Sequence, residues 1–433
     1  MTEIQIGILG CVALVVLLAS SMPVALCMAV VGTVGFAIVV SPHAAFSMAT
    51  NDFYGTFSNY SLTVIPLFVL MGQIAFHGGI SRRLFNTAYA WLGPLPGGLA
   101  MATVAACVGF GAICGSGPAT AATMAAVALP EMRRYNYDVE LASGTVASGG
   151  TLAMLIPPSV VFIVYAIMTE QSIGELFLAG VAPGIMIGSM FCITIYVNCK
   201  RRPHLGPPSP PMTWAQRFKA LAGVSETLIL FAIVMGGMFI GLFTPTEAAA
   251  IGAAGTIVVS LVQRKLTWKV FVQALIETLR TSCMIMIIIA GALIFGHFLA
   301  VTRIPSVLAE TLAELPVPPF VIIALIILFY LVGGCFLDAL ALLLLTVPIF
   351  YPVVQKLGYD PVWFGVIMVV VTQMGVISPP VGVNVYVVSG IARDIPLQTV
   401  FKGSLPFLAA LIVASAMLVA FPWICLFLPK LMR

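Results

Sequence analysis

Two short stretches concentrate the polar chemistry of this chain: Gly149 to Ser159 (GGTLAMLIPPS) and Gln373 to Val381 (QMGVISPPV). Each lies inside an apolar segment and joins glycine, which weakens a helix, to two adjacent prolines that lack backbone donors. Both predict a helix interrupted in mid-segment. In hydrocarbon the backbone groups freed by such a break persist only where protein, water or a bound solute satisfies them. Around the first stretch, carbonyls at Gly149 and Gly150 and hydroxyls at Ser148 and Thr151 make a neutral oxygen cage of the kind that suits a cation such as Na+. A turn at Gly115-Ser116-Gly117-Pro118 is expected to meet it and to add the Ser116 hydroxyl. The second cation set is Gly334, Asp338, Thr372, Gln373, Gly375 and Ser378. Helix N-termini beside the breaks favour a carboxylate or other anion, which Ser116, Pro157, Ser159, Pro379 and Asn384 are placed to touch.

Several of these residues have a second reading. Asp338 is an ionisable group at membrane depth, able to coordinate a cation or orient a hairpin tip, and equally able to cap the helix over 340 to 356. Asn384 and Tyr386 can touch a solute or hydrogen-bond a neighbouring helix. Glu247 reads as structural, because Thr244-Pro245-Thr246-Glu247 is a capping box with proline at the first helical position. His297 and Glu277 lie on or beside apolar spans and are candidates for a proton relay.

The elements that position these groups follow from composition. The chain is 61% hydrophobic and 8% charged with mean hydropathy +1.13, against the roughly 25% charged residues of a soluble domain. Its apolar runs are long enough to enter the roughly 30 Å hydrocarbon layer as helices, and the alternation of a membrane barrel is absent. The fold class is therefore an all-α polytopic membrane protein. The N-terminus has no basic segment, so the first run is expected to be a retained span. Nine cysteines without CxxC spacing and four scattered histidines suggest neither disulfides nor a transition-metal site. No nucleotide-binding loop is present, and a net charge of +4 is too small to argue for nucleic acid.

The sequence repeats weakly at a shift of 222. Six proline pairs coincide, Pro23 with Pro245, Pro94 with Pro316, Pro96 with Pro318, Pro130 with Pro352, Pro157 with Pro379 and Pro158 with Pro380, and Tyr137-Asp138 meets Tyr359-Asp360. The first repeat, 1–198, is expected to hold scaffold spans within 5–77 (5–20, 23–40 and 62–77), an amphipathic arm at 79–93, a re-entrant hairpin at 97–133, a broken span at 139–168 and a span at 176–198. A polar cytoplasmic linker, 199–224, follows. The second repeat, 225–433, holds scaffold spans within 225–300 (225–242, 246–262 and 280–300), an arm at 303–315, a hairpin at 318–356, a broken span at 361–391 and a span at 400–428. Five spans per repeat is an odd number, so the two halves must be inverted, with one hairpin opening to each side. An external N-terminus puts most basic residues in the cytoplasm, including Arg82, Arg83, Arg133, Arg134 and Lys200-Arg201-Arg202, and leaves only Arg303, Lys356, Lys430 and Arg433 outside.

The runs GSGPATAATMAAVALPEM, ASGGTLAMLIPPSVVFIVYA and GVISPPVGVNVYVVSGIA resemble the large membrane subunit of tripartite ATP-independent periplasmic (TRAP) transporters, the DctM-like family, and the resemblance extends over essentially the whole chain. It implies an elevator-type ion-transporter fold in which the hairpins and the last two spans of each half move against a scaffold of the first three. It further implies Na+-driven uptake of an organic acid in the bacterial inner membrane, with no cofactor beyond Na+. The implied partners are a periplasmic substrate-binding protein and a small four-helix membrane subunit, expected to be encoded separately because no fusion to it precedes the chain. One departure concerns the first tip, where Gly117 stands in place of the second serine of a Gly-Ser-Ser and removes one hydroxyl. A standalone sodium/dicarboxylate symporter or antiporter of similar fold is the alternative within transport. An intramembrane enzyme would need a nucleophile, base or metal set that the sequence does not offer.

Overall fold

The computed structural model describes residues 2–20, 22–314 and 316–431, and its described residues are helical without strands. The expected external Arg433 and the last residue of the 303–315 arm lie outside them. Helices α1 (Glu3–Ala19) and α2 (Val24–Val39) match the first two expected spans. Residues 42–58, outside every expected span, form α3 (Pro42–Ser58); Ser41 caps it by accepting from the Ala44 N–H at 3.2 Å, and Pro42 opens its first turn. A 3-10 turn at Tyr60–Thr63 leads into α4 (Val64–His77), followed by the amphipathic arm α5 (Ile80–Leu92). The hairpin is α6 (Gly98–Cys114) and α7 (Gly117–Arg134); α8 (Val139–Thr151), α9 (Val160–Thr169) and the 29-residue α10 (Ile173–Arg201) follow.

The linker is ordered where a polar loop is expected. Its first part runs across neighbouring turns through backbone bonds: Gly97 N–H donates to Gly206 O at 2.9 Å, Asp138 N–H to Leu205 O at 3.0 Å and Ser209 N–H to Gly93 O at 2.9 Å. Its second part is helix α11 (Trp214–Ala222). Next come α12 (Ser225–Phe239), α13 (Pro245–Val262) and α14 (Trp268–Val301), the last beginning twelve residues before the expected 280–300 span because Thr267 caps an earlier first turn. Arm α15 (Ile304–Glu314), hairpin α16 (Pro319–Gly334) with α17 (Ala339–Lys356), and the broken pair α18 (Pro361–Gly375) and α19 (Val383–Ile391) follow. The last expected span, 400–428, is divided into α20 (Leu397–Ala420) and α21 (Trp423–Leu431). Pro422 has no N–H for the Leu418 carbonyl, and that carbonyl instead accepts from the Trp363 indole at 3.0 Å.

Among the described residues, six helices are by length and composition able to cross a membrane alone, and the shorter apolar helices include members of the hairpins and broken pairs. Two packed groups result. In one, α2 lies on α14, α4 on α13 and α14, and α12 on α13. In the other, α8 packs among α6, α7, α19 and α20, while α18 rests on α16, α20 and α10, and α17 on α9. Arms α5 and α15 lie on α6 and α17, and contacts of α4 with α6 and of α14 with α17 join the groups.

Burial of apolar surface does little to hold helices together in lipid, so close approach does the work. The tightest crossing is α8 on α20: a Cβ placed on Gly403 would lie 1.8 Å from the Glu140 carbonyl oxygen, and one on Gly144 would lie 2.0 Å from the Gly403 carbonyl carbon. Gly403→Ala should therefore force the two helices apart and cost at least about 1–3 kcal/mol, read as a lower melting temperature of the purified protein. Gly296→Ala on α14, where nothing lies within 4 Å, should leave the melt unchanged or raise it slightly.

Candidate functional site

At the first tip, α6 ends on Gly115 at φ +63°, a left-handed conformation in which its N–H reaches Gly111 O at 2.9 Å. A side chain is excluded twice, by that conformation and by the Pro158 carbonyl, 2.5 Å from where a Cβ would stand. Ser116 then adopts extended backbone and precedes α7 without capping it, so the first N–H groups of α7 have no side-chain acceptor. At the second tip Asp338 does cap: its Oδ2 accepts from the Leu340 N–H at 3.1 Å. Of the two readings of Asp338, the cap is therefore real, and the carboxylate also borders a cavity.

That cavity, about 320 Å³, lies between the tips and the other helical group. Gly115, Ser116 and Asp338 line it together with Gln73 of α4 and Thr281 of α14. Its size is at the small end of the range for small-molecule sites, about 300–1,000 Å³. Among the lining residues there is one carboxylate and no lysine, arginine or histidine. Gln73 and Thr281 were not singled out in the sequence; the available signal was an amide inside the apolar run 62–77.

The structure places the remaining candidates beside rather than in this cavity. Gly149 and Gly150 lie inside α8, and the break begins at Leu152 and runs to Ser159, not at the glycines. The glycines serve packing: a Cβ on Gly150 would stand 2.7 Å from the Ala121 side chain, and one on Gly149 would stand 2.9 Å from Cys107 Sγ. Thr151 Oγ1 donates to Ser148 O at 2.7 Å, while the buried Ser148 hydroxyl has no hydrogen-bond partner. Pro157 is buried, and Ser159 is committed to capping α9, accepting from Phe162 N–H at 3.4 Å and donating to Met154 O at 2.6 Å.

In the second break Thr372 donates to Met368 O at 2.6 Å and Ser378 to Met374 O at 2.7 Å. Gly375 meets Gly334 so closely that a Cβ would lie 2.3 Å from the Gly334 carbonyl carbon, and Val381 N–H bonds Cys335 O at 3.2 Å, tying this break to the second tip. Gln373 is fully buried with neither side-chain polar atom hydrogen-bonded. Asn384 takes the interhelical role: its Nδ2 donates to Ala147 O of α8 at 3.0 Å, leaving Oδ1 without a partner. Pro379 and Tyr386 are exposed, away from the cavity.

Polar side-chain contacts join the surrounding helices. His77 Nε2 lies 3.1 Å from Glu277 Oε2, joining α4 to α14, and His297 Nδ1 lies 3.5 Å from Asp52 Oδ2, joining α14 to α3. The two candidate relay residues are thus each engaged with a neighbouring helix. Glu247 accepts from both the backbone and the hydroxyl of Thr244 at 2.8 Å, as a capping box requires. At the base of the first hairpin, Arg133 donates to Asp394 at 2.6 Å and holds that carboxyl below the usual carboxylate range.

The cavity is thus bordered by both hairpin tips and the edges of the first break, with the second break behind the second tip. The family profile of the tripartite ATP-independent periplasmic transporter, DctM component, matches residues 11–424. The chain belongs to this family. It is 38% identical to the C4-dicarboxylate TRAP transporter large permease protein DctM of Pseudomonas aeruginosa, over 91% of each chain. It is 33% identical to the sialic acid TRAP transporter large permease protein SiaM of Vibrio cholerae, over 91% of this chain and 92% of that one. Its fold is similar to that of the Alcanivorax borkumensis YdaH transporter, with TM-score 0.55 and 18% identity over 88% of both chains. As a DctM-family member the chain is a multi-pass transporter subunit and not an enzyme.

Gln373→Leu removes two buried polar atoms that have no partner in the fold. In sodium-free choline buffer it should raise stability by about 1–3 kcal/mol, read as a higher melting temperature.

Proposed function

We propose that this chain is the sodium-coupled large membrane subunit of a three-part importer that carries an organic acid, a C4-dicarboxylate, sugar acid or sialic acid, across the bacterial inner membrane. The observation that carries the reading is the charge inventory of the cavity: an uncapped helix N-terminus at Ser116, a carboxylate at Asp338 and no basic side chain. An organic anion finds N–H groups there, but it also meets Asp338. A bound cation offsets that repulsion, and the neutral oxygen-rich sets around Ser148 to Thr151 and around Thr372 to Ser378 suit Na+.

The two packed groups are assigned the two roles of an elevator. The group of α6–α10 and α16–α21 carries both tips and both breaks, and moves against α1–α4 and α12–α14, with arms α5 and α15 as connections. Gln73 and Thr281 then belong to the stationary wall that the tips slide past. The halves are read as inverted repeats with an external N-terminus, which places one tip toward each side of the membrane. Family membership supports a periplasmic binding protein as the donor of substrate and a separate small membrane subunit packed on the stationary group.

Uptake of labelled organic acid into proteoliposomes holding this chain, its small membrane partner and the cognate binding protein tests the proposal. Replacing external Na+ by K+ or choline should reduce uptake at least roughly tenfold, and Asp338→Asn should weaken the Na+ dependence more than it weakens folding. Uptake at full rate by this chain alone would instead make it a standalone symporter. Labelling of an N-terminal tag from the cytoplasmic side would overturn the assigned orientation.

A further inference from the structure

Between Glu175 and Glu226 the sequence has no acidic residue, yet it holds Lys200, Arg201, Arg202, Arg217 and Lys219. The C-terminal part of this basic stretch is α11, whose first turn is fixed by a capping box between Thr213 and Gln216. Trp214, Phe218 and Leu221 recur at helical spacing on one face. They stand 65%, 59% and 39% exposed. The helix is held on arm α5 by bonds and ring contacts: Thr87 Oγ1 donates to Ala220 O at 2.8 Å, Arg83 donates to the carbonyl of Gly223, just beyond the helix, at 3.4 Å, and Trp214 and Phe218 each meet the Trp91 ring edge-on at 6.3 and 6.0 Å while most of their surface stays exposed. Arg217 is stacked 5.0 Å from the Trp214 ring and 6.0 Å from that of Trp91, so a guanidinium sits beside the aromatic face. Finally, α11 is bent by 52° from the axis of α12, the apolar helix that follows it.

An exposed aromatic cluster of Trp91, Trp214 and Phe218, flanked by cations and set at a steep angle to an adjoining span, matches a membrane-surface helix. We propose that α11 lies in the headgroup layer and binds anionic phospholipid, with Trp214, Phe218 and Leu221 at the acyl boundary and Arg217 and Lys219 on the headgroup phosphates. The long acid-free stretch makes the lipid's charge the complement of the surface, since adjacent basic residues each add about 1 kcal/mol toward an anionic leaflet. The assignment of this leaflet to the cytoplasm rests on the orientation proposed above; the binding of lipid does not. Because α11 holds arm α5, and residues 205–209 bond the turns at Gly93, Gly97 and Asp138, the lipid surface anchors the base of the first hairpin.

The test uses the full chain in nanodiscs containing either brominated phosphatidylglycerol or brominated phosphatidylcholine, with tryptophan emission as readout. The Trp214 contribution is the difference between the chain and Trp214→Phe, and the emission of buried Trp363 reports that each variant is folded. Phosphatidylglycerol should quench the Trp214 contribution at a lower mole fraction than phosphatidylcholine. Arg217→Gln with Lys219→Gln, which keeps all five tryptophans, should shrink that preference on the order of tenfold. Equal quenching by the two lipids would overturn the anionic preference. An unquenched Trp214 would remove the helix from the membrane and leave its face to another protein. Loss of sodium-coupled uptake would leave these quenching results unchanged, so the two readings fail separately.

Discussion

An unpaired backbone group in hydrocarbon costs several kcal/mol, and this chain interrupts two helices at membrane depth. The structure is organised around satisfying what those interruptions release. In the first break the Ser159 hydroxyl covers the Met154 carbonyl and caps the next helix. In the second, Asn384 N–H returns to Val376 O at 3.1 Å and Val381 N–H reaches the opposite hairpin at Cys335 O. The first break is thus served largely from within its own segment, while the second also needs the second hairpin in place. Close approach of tips and breaks explains the glycines at the contacts, because Gly115 against Pro158 and Gly375 against Gly334 are separations that no side chain permits.

The parts legible in the sequence were those set by local backbone chemistry. Adjacent prolines at 157–158 and 379–380 end helices wherever they stand, and Gly115 to Pro118 is a turn on its own terms. Helices accordingly stop at Thr151 and Gly375 ahead of the two proline pairs, and α6 gives way to α7 at Gly115-Ser116. Elements without an apolar run were not legible. Helices α3 and α11 are defined by Ser41 and Thr213 caps and by tertiary contacts, and a hydropathy reading passes over both. The continuation of α14 to Trp268 and the division at Pro422 depend likewise on a cap and on the Trp363 indole.

Site residues were legible as a neighbourhood but not as individual roles. Gly149 and Gly150 read as the break itself because glycine lowers helix propensity; they sit instead in the last turn of α8, at the edge of the break, where Cys107 and Ala121 leave no room for a Cβ. Ser159, Thr372 and Ser378 read as ligands by type; each hydroxyl donates its proton to a carbonyl of its own segment and keeps lone pairs on its oxygen. Ser148, Gln373 and the Asn384 oxygen have no hydrogen-bond partner in the fold. No sequence pattern says which of these groups the fold itself engages. Gln73 and Thr281 were missed for the opposite reason, since their partner in the cavity is a distant element and not a motif.

The two tips share a topology but differ in charge, and that difference constrains how solute and ion are linked. Ser116 leaves the N-terminus of α7 open, while Asp338 occupies that of α17 with a carboxylate. Helix N-termini carry a partial positive charge equivalent to about half a unit, so Asp338 more than cancels its own helix end. An anion placed in the cavity is therefore attracted by one tip and repelled by the other. A monovalent cation near Asp338 turns the second tip from net negative to net positive, and by linkage an anion that gains from this strengthens cation binding by the same factor. On the proposed reading, the aspartate that stands at the second tip where the first has a serine adds an electrostatic link between anion and cation to the neutral oxygen sets at the two breaks.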